Sequence, residues 1–381
     1  MPDDSPRTVL LRGARVVTPT GVVDRGHVLI DGGTIAAVGP GDGTAPDGAE
    51  VVDLGGATVL PGFVDMHTHG GGGATYTTGD ADEARRAAAF HLAHGTTTTL
   101  ASLVTAPPEL MVAATEAYQP LVADGTLAGL HYEGPYLSQA RCGAQNPAYL
   151  RDPDLAELAT LLDIGGVRMV TVAPERAGAR DAIRYLVERG VVAAVGHTDA
   201  SYEQTLAAVE AGATAGTHVC NGMRPIHHRE PGPIVALLRS ASVTCEFIAD
   251  GHHLHDGMLS FGASTAGPNR TALVTDAMAA AGMSDGAYDL GGQAVTVLDG
   301  VARLTEGGSI AGSTLTMDAA VRRALGAGIP LVDVARMAAT TPARTIGLTD
   351  RGALVAGLRA DLVVLDADLA VRRVMRGGGW L

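Results

Sequence analysis

The middle of this 381-residue chain alternates short strand patterns with helical patterns, and this alternation limits the fold more than any other feature. Helical patterns such as ADEARRAAAFHLAHG and DAIRYLVERG join the first six strands, while shorter and less regular connections precede the seventh and eighth. Such alternation is typical of a parallel sheet, so the class is α/β and the predicted architecture is a (β/α)8 TIM barrel. The eight predicted strands are Val64–His69, Thr96–Leu103, Leu127–Gly134, Val167–Pro174, Val191–Thr198, Ala213–Asn221, Val243–Gly251 and Thr271–Ala277.

Both ends of the chain differ in character from the middle. The first sixty residues contain short β-branched runs separated by Gly and Pro, and the last stretch, RGALVAGLRADLVVLDADLAVRRVMRGG, is similar. Because the termini of a domain often lie close together, we expect both ends to form one small β-sandwich domain. The predicted divisions are 1–58 and 349–381 for the small domain and 59–348 for the barrel. A turn-rich insert is expected over 284–310, followed by a helical end.

Charge and composition exclude several classes of function. The formal net charge is −14, whereas nucleic-acid binding needs a basic face, so no nucleic-acid partner is expected. All 27 basic residues are Arg, which rules out a Lys Schiff base, a phosphate-loop Lys and a carbamylated Lys between two metals. Three Cys without CxxC spacing predict neither a disulfide framework nor a thiolate zinc site. The start shows no signal-peptide pattern and no run reaches ~18 apolar residues, so we expect no membrane partner and a cytoplasmic location.

Polar residues cluster at the carboxyl ends of the predicted strands. In a barrel of parallel strands, those ends form the active-site face. Ionisable side chains from six strand ends would therefore converge in one cup. They are His67 and His69, Glu133, His197, His218, His252 and His253, and Asp276.

The residue types in this cup point to metal-dependent hydrolysis. Imidazole and carboxylate bind Zn²⁺, Fe²⁺, Mn²⁺ or Co²⁺, and an open position lets water bind, with a pKa of about 7 on zinc. His67 and His69 are two residues apart, so both side chains point to the same side of the strand and form a natural bidentate site. Asp276, a carboxylate outside the first metal's ligand set, can take a proton from water and pass it to the leaving nitrogen.

Each of these residues also has a purely structural interpretation. An HxH pair is a weak signal alone, Glu133 or Asp276 could cap a helix, and His218 could be a hydrogen-bonded core histidine. The joint pattern favours the metal hydrolase, because coincidence does not explain polar residues at the same end of successive strands. The remaining His and Cys residues give little indication of a direct role in the site. We expect packing or surface roles for His91 and His94, a loop position for His227 and His228, a role behind the site for His131, and no ligand role for Cys142 or Cys220.

Several motifs resemble a known family. PGFVDMHTHG, together with the later ADLVVLD, resembles the amidohydrolase superfamily. Within it, HYEGPY, GHTDA, GTHVCNGM, REPG, ADGHH, VTDAMAAAG and AGSTLTMD, in this order, resemble the N-acetylglucosamine-6-phosphate deacetylases over about residues 59 to 365. The resemblance implies that the chain removes acetate from N-acetylglucosamine 6-phosphate and uses one or two divalent metals, with zinc the leading candidate.

The resemblance also implies a role for each matched residue. The main metal would be bound by Glu133, His197 and His218, and a second metal position would be completed by His67 and His69. Asp276 would be the catalytic acid and base. Without a Lys, Glu133 remains the candidate bridge between the two metals. The substrate would be bound by His253, Asn221, Gly222, Arg229 and Gln145. Arg229 in REPG would reach the phosphate from a neighbouring subunit, which implies a homodimer.

Two positions depart from the family pattern and leave the substrate open. Gln145, in ARCGAQNP, stands where the family usually has a His, and Gly222 stands where it has an Ala. Deacetylation of another N-acyl amino sugar, such as the galactosamine epimer, is therefore an alternative. Hydrolysis of a cyclic imide or an N-acyl amino acid fits REPG and AGSTLTMD less well. A non-catalytic metal-binding relative would be expected to have lost Asp276.

Overall fold

The two ends of the chain and its middle form separate sheets in the computed structural model, which describes residues 8–381. The acidic start MPDDSPR lies outside the described residues. The N-terminal strands are β1 (Thr8–Thr18), β2 (Gly21–Asp31), β3 (Thr34–Pro40), β4 (Glu50–Asp53) and β5 (Thr58–Pro61). β1 pairs with β2 in antiparallel fashion and with β4 and β5 in parallel, so these strands belong to one sheet.

Eight parallel strands form the barrel sheet, in which neighbours in space are neighbours in sequence. The first is β6 (Phe63–Asp65), which precedes a two-stranded hairpin of β7 (Gly70–Gly71) and β8 (Ala74–Thr75). The others are β9 (Thr96–Val104), β10 (Gly129–Glu133), β11 (Val167–Val172), β12 (Val192–Val195), β13 (Ala215–Gly216), β14 (Thr244–Ile248) and β15 (Thr271–Val274). The predicted α/β class and TIM barrel are confirmed, with each strand inside or close to its predicted range.

A helix follows every barrel strand. The first seven are α1 (Ala81–Ala93), α2 (Pro108–Ala123), α3 (Leu155–Ile164), α4 (Ala179–Glu188), α5 (Tyr202–Glu210), α6 (Gly232–Arg239) and α7 (Asp256–Ala266). The last connections are more regular than predicted, because α6 and α7 are helices of 8 and 11 residues. Gly and Ser lower the helix propensity of α7. Burial of the face that carries Leu259 and Ala263 stabilises the helix instead.

The insert over 284–310 contains a three-stranded antiparallel sheet where the sequence predicts only turns. Its strands are β16 (Gly286–Leu290), β17 (Gln293–Leu298) and β18 (Val301–Leu304). Two-residue turns, Gly291–Gly292 and Asp299–Gly300, join them, and such pairs are strong hairpin signals. Val295 is buried against the loop after β15, so the insert forms a wall beside the carboxyl ends of the barrel strands.

The C-terminal part returns to the sheet that the N-terminal strands began. Its helices are α8 (Met317–Gly326), α9 (Leu331–Ala335) and α10 (Thr341–Thr345), with a π-helical turn between the last two. Its strands are β19 (Leu362–Leu365), β20 (Val371–Arg376) and β21 (Gly379–Trp380). β19 pairs with β5, so both ends of the chain share one eight-stranded sheet with its own apolar core. The domain divisions at 58 and 348 stay predictions.

The first and eighth barrel strands meet in a seam formed by residues 65–69 and 275–277. The Asp276 backbone N–H donates to the His67 carbonyl at 2.8 Å, and the His69 N–H donates to the Ala277 carbonyl at 2.7 Å. The buried Asp65 carboxylate accepts from Thr275 Oγ1 at 2.5 Å. Burial raises the pKa of Asp65 to about 7, although these hydrogen bonds oppose the shift. The seam therefore closes the barrel with the same residues that carry candidate site side chains.

Within residues 8–381, none of the helices combines the length and the apolar character that crossing a bilayer requires.

Candidate active site

The carboxyl ends of the barrel strands surround a cavity of about 310 Å³. The insert after β15 closes one side of this cavity through Leu290 and Ile310. Most of the side chains and glycines that the sequence singled out line it. They are His69, Glu133, Gln145, His197, His218, Asn221, Gly222, His253 and Asp276. The barrel topology therefore brings together residues that are up to 207 positions apart in the sequence.

Glu133 lies at the centre of the first ligand group, at the end of β10. Its Oε1 is 2.9 Å from Nε2 of His197 and 2.8 Å from Nε2 of His218. The two imidazole nitrogens are 3.2 Å apart. Three ligand atoms from three strand ends thus point at one another, as the resemblance implies for the main metal.

The second ligand group lies at the seam and shares the same carboxylate. Nε2 of His69 is 3.1 Å from Glu133 Oε2, and Nε2 of His67 is 3.6 Å from Oε1. The two nitrogens are 3.3 Å apart. Asp276 Oδ1 approaches both, at 3.4 Å from His67 and 3.1 Å from His69. Asp276 therefore stands beside the second group, where it can serve as a ligand as well as a base.

Hydrogen bonds fix the nitrogen that faces away from the ligand groups in three of the four rings, while Nδ1 of His218 is buried without a partner among the described residues. Nδ1 of His67 donates to Glu246, Nδ1 of His69 donates to the Ser102 carbonyl, and Nδ1 of His197 donates to the Arg141 carbonyl. A proton on Nδ1 leaves an unshared electron pair on Nε2 of a neutral ring. Unshared pairs aimed at carboxylate oxygens need positive charge between them. The donor set therefore fits a divalent cation, and in each of three triads these atoms lie within 4.8 Å of one another.

Protons compete with a cation for the same ring nitrogens, and the pKa shifts express this competition. Burial lowers the pKa of His69, but hydrogen bonds to Asp276 and Glu133 outweigh it and raise the value to about 9. Burial raises the pKa of Asp276, yet the charge of His67 and the bond to His69 bring it below its ordinary value. Glu133 is likewise held well below its usual pKa range, because the positive charge of the surrounding imidazoles outweighs burial. Both carboxylates are therefore ionised at neutral pH.

Three site residues adopt a backbone conformation that side chains usually avoid. His197, His218 and Asp276 have φ values of 44°, 28° and 51°, in the left-handed region. Each comes two residues after the end of a barrel strand, where the left-handed turn redirects the chain at the rim of the cup. Such conformations persist when surrounding contacts enforce them, and they cluster at functional sites.

His253 and Gly222 have local reasons for their positions. Nδ1 of His253 is 2.7 Å from the Asp250 carboxylate, which orients the ring on the cavity wall. Gly222 has φ of 58°, and a Cβ there would lie 2.8 Å from Nδ1 of His197. A residue larger than Gly would therefore press on a candidate ligand in this chain. Asn221 lies beside it and donates to the His218 carbonyl.

Gln145 and Arg229 differ in where the structure places them. The Gln145 side chain is buried at the cavity, with its amide bonded to Glu133 and to the backbone of Thr105. Arg229 is exposed and does not line the cavity of its own chain. Its guanidinium lies 2.7 Å from Nε2 of His228. The substrate-binding roles of both residues stay predictions.

Two buried carboxylates support the site although the sequence analysis did not select them. Glu246, inside β14, is bonded to Nδ1 of His67 at 3.0 Å and accepts from the His218 backbone N–H at 3.0 Å. It therefore links both ligand groups. Asp65 accepts from the backbone N–H of His67 and from Thr275 across the seam. The sequence marks Glu246 only as a single acidic residue inside the apolar strand TCEFI.

The other His and Cys residues lie mostly away from the cavity. His131 is buried and packs edge-on against the His67 ring, with a centroid separation of 4.6 Å. His91 is buried and bonded to the Gly70 carbonyl, and burial lowers its pKa to about 4. His252 is exposed. Cys142 and Cys220 are half-buried.

Comparison with known proteins relates the whole chain to one family. The amidohydrolase family profile matches residues 58–381. An N-acetylglucosamine-6-phosphate deacetylase of Lysinibacillus sphaericus is 35% identical over 97% of each chain. An N-acetylgalactosamine-6-phosphate deacetylase of Escherichia coli O157:H7 is 36% identical over 96% of this chain and 97% of its own. The structure of a mutant N-acetyl-D-glucosamine-6-phosphate deacetylase from Mycobacterium smegmatis, in complex with N-acetyl-D-glucosamine-6-phosphate, is 50% identical with a TM-score of 0.94, covering 98% of this chain and 99% of that chain.

Proposed function

The chain belongs to the amidohydrolase family, and on that premise we propose that it hydrolyses the acetamide of N-acetylglucosamine 6-phosphate to glucosamine 6-phosphate and acetate. One observation carries the proposal. Four imidazole nitrogens and two carboxylates meet at a cavity that is large enough for a sugar, in a chain that is 50% identical to the mycobacterial deacetylase. The product would enter amino-sugar catabolism.

The candidate ligands divide into two positions. Glu133, His197 and His218 would hold the main metal, and His67 and His69 would complete a second position that shares Glu133. Zinc fits this set, as do Fe²⁺, Mn²⁺ and Co²⁺. A divalent metal bound there would polarise the acetyl carbonyl and lower the pKa of water.

Asp276 would move the proton. Its lowered pKa keeps the carboxylate ionised at neutral pH, so Oδ1 can accept a proton from the attacking water and return it to the leaving amine. His253, oriented by Asp250, would donate from Nε2 to the carbonyl oxygen when both ring nitrogens are protonated. The base and this donor both line the cavity.

Recognition of the phosphate requires cations in a chain with net charge −14. Arg229 would supply one, because a guanidinium grips phosphate through two parallel hydrogen bonds. Its exposed position away from its own cavity supports a contact with the cavity of a neighbouring subunit, and hence a homodimer. Asn221, Gly222 and Gln145 would contact the rest of the sugar phosphate. We place the activity in the cytoplasm, because an ionised phosphate does not cross a bilayer unaided.

The galactosamine epimer is the second candidate substrate. The Escherichia coli relative named for that sugar is 36% identical, as similar to this chain as the glucosamine-type relatives. The ligand groups do not discriminate between epimers, since both carry the same acetamide. Substrate preference therefore has to be measured directly.

The test is acetate release from N-acetylglucosamine 6-phosphate, from its galacto epimer and from the unphosphorylated sugar, with metal content determined on the same sample. We expect fast, phosphate-dependent release and a higher KM for Arg229→Ala. Asp276→Asn should lower kcat by about 10²- to 10⁴-fold with metal retained, since Asn tolerates the left-handed backbone there. No release from the metal-loaded protein would contradict the substrate. Substantial turnover by metal-loaded Asp276→Asn would remove Asp276 from its role.

A further inference from the structure

The orientation of the Gln145 amide is fixed by its two partners. Its Oε1 accepts from the backbone N–H of Thr105 at 2.7 Å. A backbone N–H can only donate, so the NH₂ group of Gln145 must face the other partner. That partner is Glu133, whose Oε2 lies 2.6 Å from Nε2 of Gln145. The Gln145 side chain is buried in the wall of the cavity.

This bond separates the two oxygens of Glu133. Oε1 faces the nitrogens of His197 and His218, at 2.9 and 2.8 Å. Oε2 faces His69 at 3.1 Å and is held by Gln145, whereas Nε2 of His67, the other ring of the second group, lies 3.6 Å from Oε1. A carboxylate without that bond can turn about its terminal torsion, which is broad, and present both oxygens to the His197 and His218 side.

We propose that Gln145 is a positioning residue that keeps one oxygen of Glu133 for each of two metal positions and thereby makes the second position competent to bind. The inference rests on the metal-binding part of the proposed function and not on its substrate. An amide suits this task because it neither titrates nor binds the metal through its NH₂ group, so it orients Glu133 without competing for the ion.

The test is titration of metal-free protein with Zn²⁺ alone, followed by calorimetry and by metal analysis of the desalted complex. Wild type should bind two ions per chain. Gln145→Leu should keep the tighter ion and bind the second about 10- to 100-fold more weakly, which is the usual effect of removing a residue that orients a ligand. Gln145→Glu, nearly the same shape, should weaken the second ion further, because its carboxylate repels Glu133.

Gln119→Leu is the matched control, since Gln119 donates to backbone carbonyls remote from the cavity. It should bind both ions as wild type does. Binding of only one ion by wild type, or equal weakening of both ions in Gln145→Leu and Gln145→Glu, would overturn the proposal. Unchanged binding in the two variants would overturn it as well. A protein that binds two ions but releases no acetate would contradict the substrate and leave this inference standing.

Discussion

The two histidine pairs of the candidate metal centre are built in opposite ways. His67 and His69 follow one strand at the seam of the barrel, two residues apart, and both side chains are essentially inaccessible. His197 and His218 come from different strands, each with a left-handed backbone, and both border the cavity, as His69 also does. One pair is thus a local motif, whereas the other exists only once the barrel has formed. A single carboxylate, Glu133, joins them.

The difference teaches which part of a metal site the chain makes locally and which part depends on topology. His67 and His69 lie two residues apart just after β6, so both rings reach the seam together wherever that strand goes. The other pair depends on parallel strands ending at the same edge and on turns that reverse the backbone there. We therefore expect damage to Glu133 to affect both pairs, and damage to the seam to affect mainly the pair His67 and His69.

Glu133→Gln should have the largest effect, because it changes the one ligand that both pairs share. We expect loss of both metals and a fall in kcat/KM of about 10⁴-fold, which corresponds to several kcal/mol of transition-state stabilisation. Metal analysis and acetate release measured on the same sample check this. A variant that keeps one metal at full affinity would show that one pair binds without the shared carboxylate.

Thr275→Val should damage the seam pair selectively. Val has the shape of Thr, but it leaves the buried Asp65 carboxylate without its 2.5 Å hydroxyl donor. We expect a loss of about 1 to 3 kcal/mol in the free energy of unfolding and weaker metal binding at His67 and His69 than at His197 and His218. Thr271→Val, at the start of β15, is the control, because it loses one hydrogen bond outside the seam. Equal weakening of both metals would contradict the distinction.

Asp318→Asn should have the smallest effect, because it acts in the helix layer outside the seam. Burial raises the pKa of Asp318, but its bonds to His94, Thr316 and Arg322 outweigh burial and hold the pKa low. A carboxyl with a lowered pKa stabilises the fold above the unfolded-state value of about 4, and this contribution is lost as the pH falls through the folded-state value. We expect a cost of about 1 kcal/mol at pH 7, reduced because Arg322 and His94 are partly exposed.

Denaturant unfolding of wild type and Asp318→Asn at pH 7 and near pH 3 checks this prediction. The difference between the two proteins should shrink at the lower pH, since protonation removes the same charge that the substitution removes. A difference independent of pH would mean that Asp318 stabilises through packing alone.

The barrel could be predicted because its strands are apolar and β-branched and because polar residues mark their carboxyl ends. The insert strands were missed although Gly291–Gly292 and Asp299–Gly300 signal hairpins, since each strand is short. Convergence of the candidate ligands was predictable from strand order. The support from Glu246 was not, because its partner His67 is 179 residues away and one acidic residue inside an apolar strand does not indicate which partner it binds.

The sheet shared by both ends also sets the order in which this protein can be completed during synthesis. A ribosome that has delivered residue 348 has made every barrel strand and every candidate ligand, yet β5 still lacks β19. Core residues Leu362 and Met375 do not yet exist at that stage. The nascent chain therefore carries an unpaired strand edge throughout translation of the barrel, and chains that terminate early would expose that edge permanently. Covering that edge thus depends on residues 349–381, none of which lines the cavity.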